Sequence, residues 1–201
     1  MKKLLFDCGA NNGCSIRKFA TETLPDFDDY EVHCFEPGAV GNAEEVGASL
    51  NKYPNVNFHK KAVSDVNSTI TFYDHESYSG ASTTWVSKAE DKKRVGDCGS
   101  NVKGKVVKKT VECIDLSEFI NVQVGDNKET FVILKLDIEG EEYRVIPKML
   151  QNNTFSKINK IYLEWHPEWN DTGVHQSQLV DQIREQNPDI IIDATWNALG
   201  Y

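Results

Sequence analysis

The sequence predicts an α/β fold: a doubly wound, mostly parallel sheet with helices on both faces, in the Rossmann-like class. Three observations predict it. In the first third, short apolar runs alternate with stretches of helical period, the pattern of parallel strands joined by crossover helices. The same alternation resumes after residue 130. Three of the apolar runs also end in polar residues, and in such sheets the ligand sits beyond the carboxyl ends of the strands.

The elements follow in order. Residues 3–8 are an apolar run that ends in Asp7-Cys8-Gly9, a buried strand with a turn behind it. Ile16, Phe19 and Ala20 repeat at helical spacing, and Pro25 lies just past the helix end. A second strand spans 31–35 and stops at Pro37-Gly38; 39–52 reads as helix and 55–64 as a third strand. Thr-Ile-Thr-Phe-Tyr at 69–73 is a further strand. From 74 to 104 the chain is polar, holds four glycines and keeps no period, so it reads as an irregular insertion of functional use. Residues 105–113 alternate as an exposed strand, and Asp115 caps a short helix over 115–120. The run 131–136 is the most apolar strand of the chain. Val145, Ile146, Met149 and Leu150 mark the core face of the next helix, which Pro147 should kink or break. A strand at 158–165, a helix at 176–186 and a last strand at 189–194 complete a single domain over 1–201.

Composition narrows the function. At 201 residues the chain buries one sizeable core. No apolar run approaches the roughly 20 residues of a membrane span. Only Leu4-Leu5-Phe6 follows Met1-Lys2-Lys3, so no signal peptide is expected. Twenty-two basic against 31 acidic residues give a net charge of −9, opposite to that of a duplex-binding protein, and no nucleic-acid partner is expected. Five cysteines with no Cys-x-x-Cys pair point to free thiols in a reducing, cytoplasmic setting rather than to disulfides or structural zinc.

Three strand ends carry the candidate chemistry. Asp7-Cys8-Gly9-Ala10-Asn11-Asn12-Gly13 turns sharply into a helix, and its glycines let backbone pass close to a ligand. The loop reads Gly-x-x-x-Gly and not Gly-x-Gly-x-x-Gly, with an acid at its head, which suits a ligand bearing an amino group and a carboxylate better than a pyrophosphate. Glu36, at the second strand end, is of the type that accepts hydrogen bonds from ribose hydroxyls. Lys135-Leu136-Asp137-Ile138-Glu139-Gly140-Glu141-Glu142 ends the apolar strand; as a strand it places Lys135, Asp137 and Glu139 on one face. A Lys135–Asp137 ion pair and a charge cluster at a helix N-terminus are the structural alternatives.

Asp-x-Gly-Ala-Asn-x-Gly at 7–13, Phe-Glu-Pro at 35–37, Ala-Val-Ser-Asp at 62–65, Lys-Leu-Asp-Ile-Glu-Gly-x-Glu at 135–142 and Leu-Glu-x-His at 163–166 occur in that order. Together they resemble the FkbM family of S-adenosylmethionine-dependent methyltransferases, over about residues 4–170. The resemblance implies the class I methyltransferase fold and methylation of a hydroxyl, often on a sugar such as a rhamnose- or fucose-type deoxyhexose of a glycan. It implies that Asp7, Gly9, Asn11, Gly13 and Ser15 hold the methionine moiety and Glu36 the ribose. Ala62, Val63 and Ser64 would border the adenine, and a small polar loop at 79–83, with Ser82, would close over the cofactor. Relatives often carry an N-terminal extension, so the chain is either a minimal enzyme or one domain of a longer polypeptide.

For chemistry, His166 is the expected general base, because its intrinsic pKa lies near neutrality. Asp137 and Glu164 would position it; alternatively Asp137 is the base, or a divalent metal sits between Asp137, Glu164 and His166. Trp85 and Trp169, with Glu139, are the expected acceptor contacts, with Tyr78 and Trp165 as further rings able to stack on a sugar. Two other functions compete. An RNA ribose methyltransferase would use a Lys-Asp-Lys-Glu set, of which only Lys135, Asp137 and Glu164 are candidates. A non-catalytic cofactor-binding module would have no use for Asp137 and His166.

Overall fold

The computed structural model describes residues 1–38, 43–75, 106–125, 127, 129–167, 170 and 172–196. At its centre is β1 (Lys3–Cys8), parallel on one side to β2 (Tyr30–Phe35) and on the other to β7 (Phe131–Leu136). With β3 (Val56–His59), β8 (Lys160–Leu163) and β9 (Ile191–Asp193) they form a six-stranded sheet in the order β3-β2-β1-β7-β8-β9, parallel throughout. The order reverses at β1, which makes the β1/β7 boundary the topological switch point.

Both faces of the sheet are apolar, as a covered parallel sheet requires. Leu4, Phe6 and Cys8 on β1 and Val132, Leu134 and Leu136 on β7 face one core with α3 (Leu116–Val124), α4 (Glu142–Gln151) and α5 (Gln176–Gln186). Leu5 and Ile133 face the other, with α1 (Cys14–Lys18) and Trp196. A π-type turn at Phe19–Thr23 follows α1 and stacks Phe19 on Trp196 at 4.8 Å between centroids. Helix α2 spans Ala43–Leu50. Among the described residues no helix is long and apolar enough to cross a membrane, and Cys8, Cys14, Cys34 and Cys113 are free thiols.

Three elements depart from the sequence reading. The strand expected at 55–64 is two: β3 stays in the main sheet, and β4 (Ala62–Ser64) leaves it to pair with β6 (Val106–Asp115). The break falls at Lys60-Lys61, where Lys61 N–H turns back to His59 C=O at 2.8 Å. β6 also pairs antiparallel with β5 (Ser68–His75), giving a second, three-stranded sheet, β4-β6-β5. Helix α4 is not broken at Pro147. Proline removes one rung of the ladder, and the fully packed face of Tyr143, Val145, Ile146 and Met149 outweighs that loss. The strand expected at 158–165 ends at Leu163, so Glu164 and His166 lie beyond it. Residues 76–105, most of the expected insertion, lie outside the described residues.

The joint between α3 and the sheet is aromatic. Phe119 stands edge-on to Phe6, His33, Phe35 and His59, at 5.2–6.1 Å. His33 stacks on His59 at 5.4 Å. Burial pushes both imidazoles below their usual range, and His59, also facing His33 and Lys61, falls to about 4. In the unfolded chain both titrate near about 6.5, so between that pH and about 4 the unfolded state binds more protons. This contribution to stability is complete above about pH 6.5 and is lost as pH falls toward 4. The thermal midpoint is expected to drop from pH 7 to pH 5, and to drop less in His59→Phe. Equal slopes in the two proteins would refute the assignment.

Candidate active site at the switch point

Strand register builds the site. Cys8 is level with Phe35 on β2 and with Leu136 on β7, and Leu136 is level with Leu163 on β8. The first residues past four adjacent strands are therefore Glu36, Gly9, Asp137 and Glu164, in one row along the carboxyl edge of the sheet. An open cavity lies over the first three of this row, lined by Gly9, Asn11, Glu36, Ala62, Val63, Phe72, Asp137, Ile138 and Glu139, among others.

Gly9 is required by the fold itself. Its φ is +82°, and a Cβ there would lie 1.7 Å from the carbonyl oxygen of Asp137. The two loops of the switch point touch backbone to side-chain position, with no room for a methyl group. Below them Lys135, 1% exposed, donates to Gly9 C=O at 2.6 Å and pairs with Asp137 Oδ2 at 2.9 Å and Asp7 Oδ1 at 3.4 Å. Burial opposes its charge, but Asp137 and Asp7 together raise the ammonium pKa above its ordinary value. Ser15 donates to Asp7 Oδ2 at 2.5 Å. Asp7 and Ser15 are fully buried, and neither they nor Gly13 line the cavity; they shape and anchor the loop that does. Of the residues expected to hold the methionine moiety, Gly9 and Asn11 reach the cavity wall.

Glu36 is fixed from two sides. Its Oε2 accepts the Asn11 N–H at 2.9 Å and its Oε1 the Gly38 N–H at 3.2 Å, which aims the carboxylate along the first loop. Ala62 and Val63 line the cavity, whereas Ser64 does not and instead donates to the lining residue Glu141 at 2.8 Å. Phe72, from the second sheet, adds an apolar wall that the sequence reading did not include.

Beside Asp137 the chain reverses in a turn, with Glu139 at φ +56° and Gly140 at φ +99°, so Lys135, Asp137 and Glu139 do not continue as a strand face. Glu142, 0% exposed, straps this turn: its carboxylate accepts the N–H of Ile138 at 2.7 Å and of Gly140 at 2.9 Å. It also holds His166 Nδ1 at 3.2 Å. The orienting carboxylate that the sequence assigned to Glu164 is thus Glu142. Glu142 was visible only as part of an acidic run at a helix start, because its partner arrives 24 residues later from another strand end. His166 Nε2 faces Asp137 Oδ1 at 3.8 Å and Glu139 Oε2 at 3.7 Å. Burial works against a charged ring here. The hydrogen bond and charge of Glu142, then Glu139 and Asp137, outweigh it and push His166 up to about 10. Burial also raises the Glu139 carboxyl well above its usual range, and raises Glu164 with help from Asp137.

Trp165 packs on Tyr143 at 5.5 Å and belongs to the core. Tyr78, Ser82 and its loop, Trp85 and Trp169 lie outside the described residues.

Comparison with known proteins bears on the fold and the family. No curated protein matches the sequence. The fold is similar to the crystal structure of methyltransferase FkbM from Methylobacillus flagellatus KT, at 15% identity and a TM-score of 0.50. The likeness covers 94% of this chain and 38% of that one, so the chain spans well under half of that protein. The sequence itself matches the Methyltransferase FkbM domain over residues 7–190, which takes in every strand end described above. The chain therefore belongs to the FkbM methyltransferase family.

Proposed function

We propose that the protein transfers a methyl group from S-adenosylmethionine to a hydroxyl of a sugar, a rhamnose- or fucose-type deoxyhexose unit of a glycan. The observation that carries this reading is that Glu36 and Asp137 line one cavity on either side of Gly9. Glu36 stands where a ribose-binding acid belongs, and Asp137 stands at the switch point. The cofactor would supply an electrophilic methyl on a sulfonium. The Gly9–Asn11 backbone would receive its methionine end, Glu36 its ribose, and Ala62, Val63 and Phe72 its adenine.

The acceptor hydroxyl then belongs beside Asp137. Lys135 holds Asp137 Oδ2, and Oδ1 is turned toward His166. Glu142 holds the Nδ1 side of the His166 ring, and Asp137 stands at the switch point, so the base role passes to Asp137, with His166 positioning. The sugar class rests on the family alone. Lys135 also weighs against RNA ribose as acceptor: it is buried and already committed to Gly9 and Asp137.

Single-turnover transfer of labelled methyl onto rhamnose- and fucose-containing glycans, with RNA as a second arm, tests the proposal. Methyl on RNA alone would replace it; cofactor binding with no transfer to either would leave a binding module. Glu36→Ala is expected to weaken cofactor affinity by about 1.5–3 kcal/mol, the worth of hydrogen bonds to a charged group. Calorimetry showing wild-type affinity would move the ribose elsewhere.

A further inference from the structure

We infer that Asp137, Glu139 and His166 form a binding site for a divalent first-row transition ion, of the Mn²⁺ or Zn²⁺ kind. One donor atom from each lies within 4.8 Å of the others. The Nε2 spacings of 3.8 Å to Asp137 and 3.7 Å to Glu139 are too long for hydrogen bonds. They do fit two ligands of one ion: at bond lengths of about 2.1 Å, donors on a shared cation stand about 3.0 to 4.2 Å apart. The donors come from a turn and from the end of a neighbouring strand, and both are preset. Glu142 fixes the turn through the N–H groups of Ile138 and Gly140, and the same carboxylate holds His166 Nδ1.

That last contact is the arrangement metal-bound histidines use: one ring nitrogen on a carboxylate, the other on the ion. The local charge agrees. Among the described residues three carboxylates lie around the imidazole, with Lys135 on Oδ2 of Asp137 and Oδ1 of Asp137 facing the ring. One imidazole nitrogen with two carboxylate oxygens is a mixed donor set, which suits Mn²⁺, Fe²⁺ or Zn²⁺ better than an all-oxygen ion such as Ca²⁺. The third ligand is Glu139, where the sequence pointed to Glu164. Asp137 and Glu139 also line the cavity, so an ion held by them would meet the acceptor hydroxyl and make its proton easier to lose. This role, though not the binding itself, rests on the methyltransferase reading.

The test is a Mn²⁺ titration of the chelator-treated protein, followed by loss of the free-ion EPR signal, with spin-echo spectroscopy on the bound ion. One saturable Mn²⁺ per chain with ¹⁴N coupling from one imidazole is expected. Affinity should fall at least about tenfold in Glu139→Gln and in His166→Gln, and stay at wild type in Glu36→Ala, which alters only the cofactor wall. Circular dichroism checks that each variant folds, and the ¹⁴N coupling needs no variant at all. No saturable binding, no nitrogen coupling, or unchanged affinity in folded Glu139→Gln would overturn the site. S-adenosylhomocysteine binding to the same chelated protein separates the two proposals. If the cofactor binds and Mn²⁺ does not, the metal site fails alone; if Mn²⁺ binds and the cofactor does not, the methyltransferase reading fails alone.

Discussion

Replacing Lys135 by Met is expected to cost about 3–5 kcal/mol of folding stability, the largest effect of any single substitution discussed for this protein. The ammonium is 1% exposed, and Asp7, its partner on β1, is 0% exposed. Methionine fills a similar volume but leaves the Asp7 carboxylate buried without its cation. It also removes the donor to Gly9 C=O that holds the first loop at the switch point. Asp7→Asn in the Lys135→Met background should return part of the loss, because the stranded charge is then gone. Urea midpoints read both variants. A single variant within about 1 kcal/mol of wild type would show that the pair is dispensable.

The second large effect is on rate. A sugar hydroxyl is a weak nucleophile until its proton is taken, and positioned general bases are worth about 10²–10⁴-fold. Asp137→Asn keeps shape and volume but cannot accept that proton, so kcat should fall by about 10²-fold or more. The affinity for S-adenosylhomocysteine should stay near wild type, since the wall made by Asn11, Glu36, Ala62 and Val63 is untouched. Single-turnover rates and calorimetry on the same preparation separate the two quantities. A variant within about threefold of the wild-type rate would remove Asp137 from the chemistry.

How much of this was legible in the sequence differs from element to element. β1, β7 and α5 were readable to the residue, because each is bounded by a sharp change from apolar or periodic to polar sequence. The cap of α3 was readable too: Asp115 accepts the Glu118 N–H at 3.0 Å, a local interaction over three residues. Legibility ends where partners are distant. The split at Lys60-Lys61 carries no glycine or proline, and β4 leaves the main sheet only because β6, some fifty residues on, offers an edge. The same holds at the site. Glu36 and Asp137 announce themselves as acids at strand ends, but the alternation that puts Glu139 on a strand face gives way to a left-handed turn. Glu142 can be assigned to His166 only once both are in space.

The contact between Gly9 and Asp137 joins segments far apart in the chain. β1 is made first, and one partner, β2, lies a short distance along the chain, yet its other neighbour comes from residues 131–136. The lysine that clamps Gly9 lies 126 residues away in sequence. Closing so long a span is slow relative to local pairing. A nascent chain that has emerged only as far as residue 125 already owns Gly9, Asn11 and Glu36, but the side of the cavity wall made by Asp137, Ile138, Glu139 and Glu141 is still to be synthesised. The cavity is therefore a property of both halves of the sheet: its wall is complete only when the turn after β7 stands beside Gly9 and Glu36.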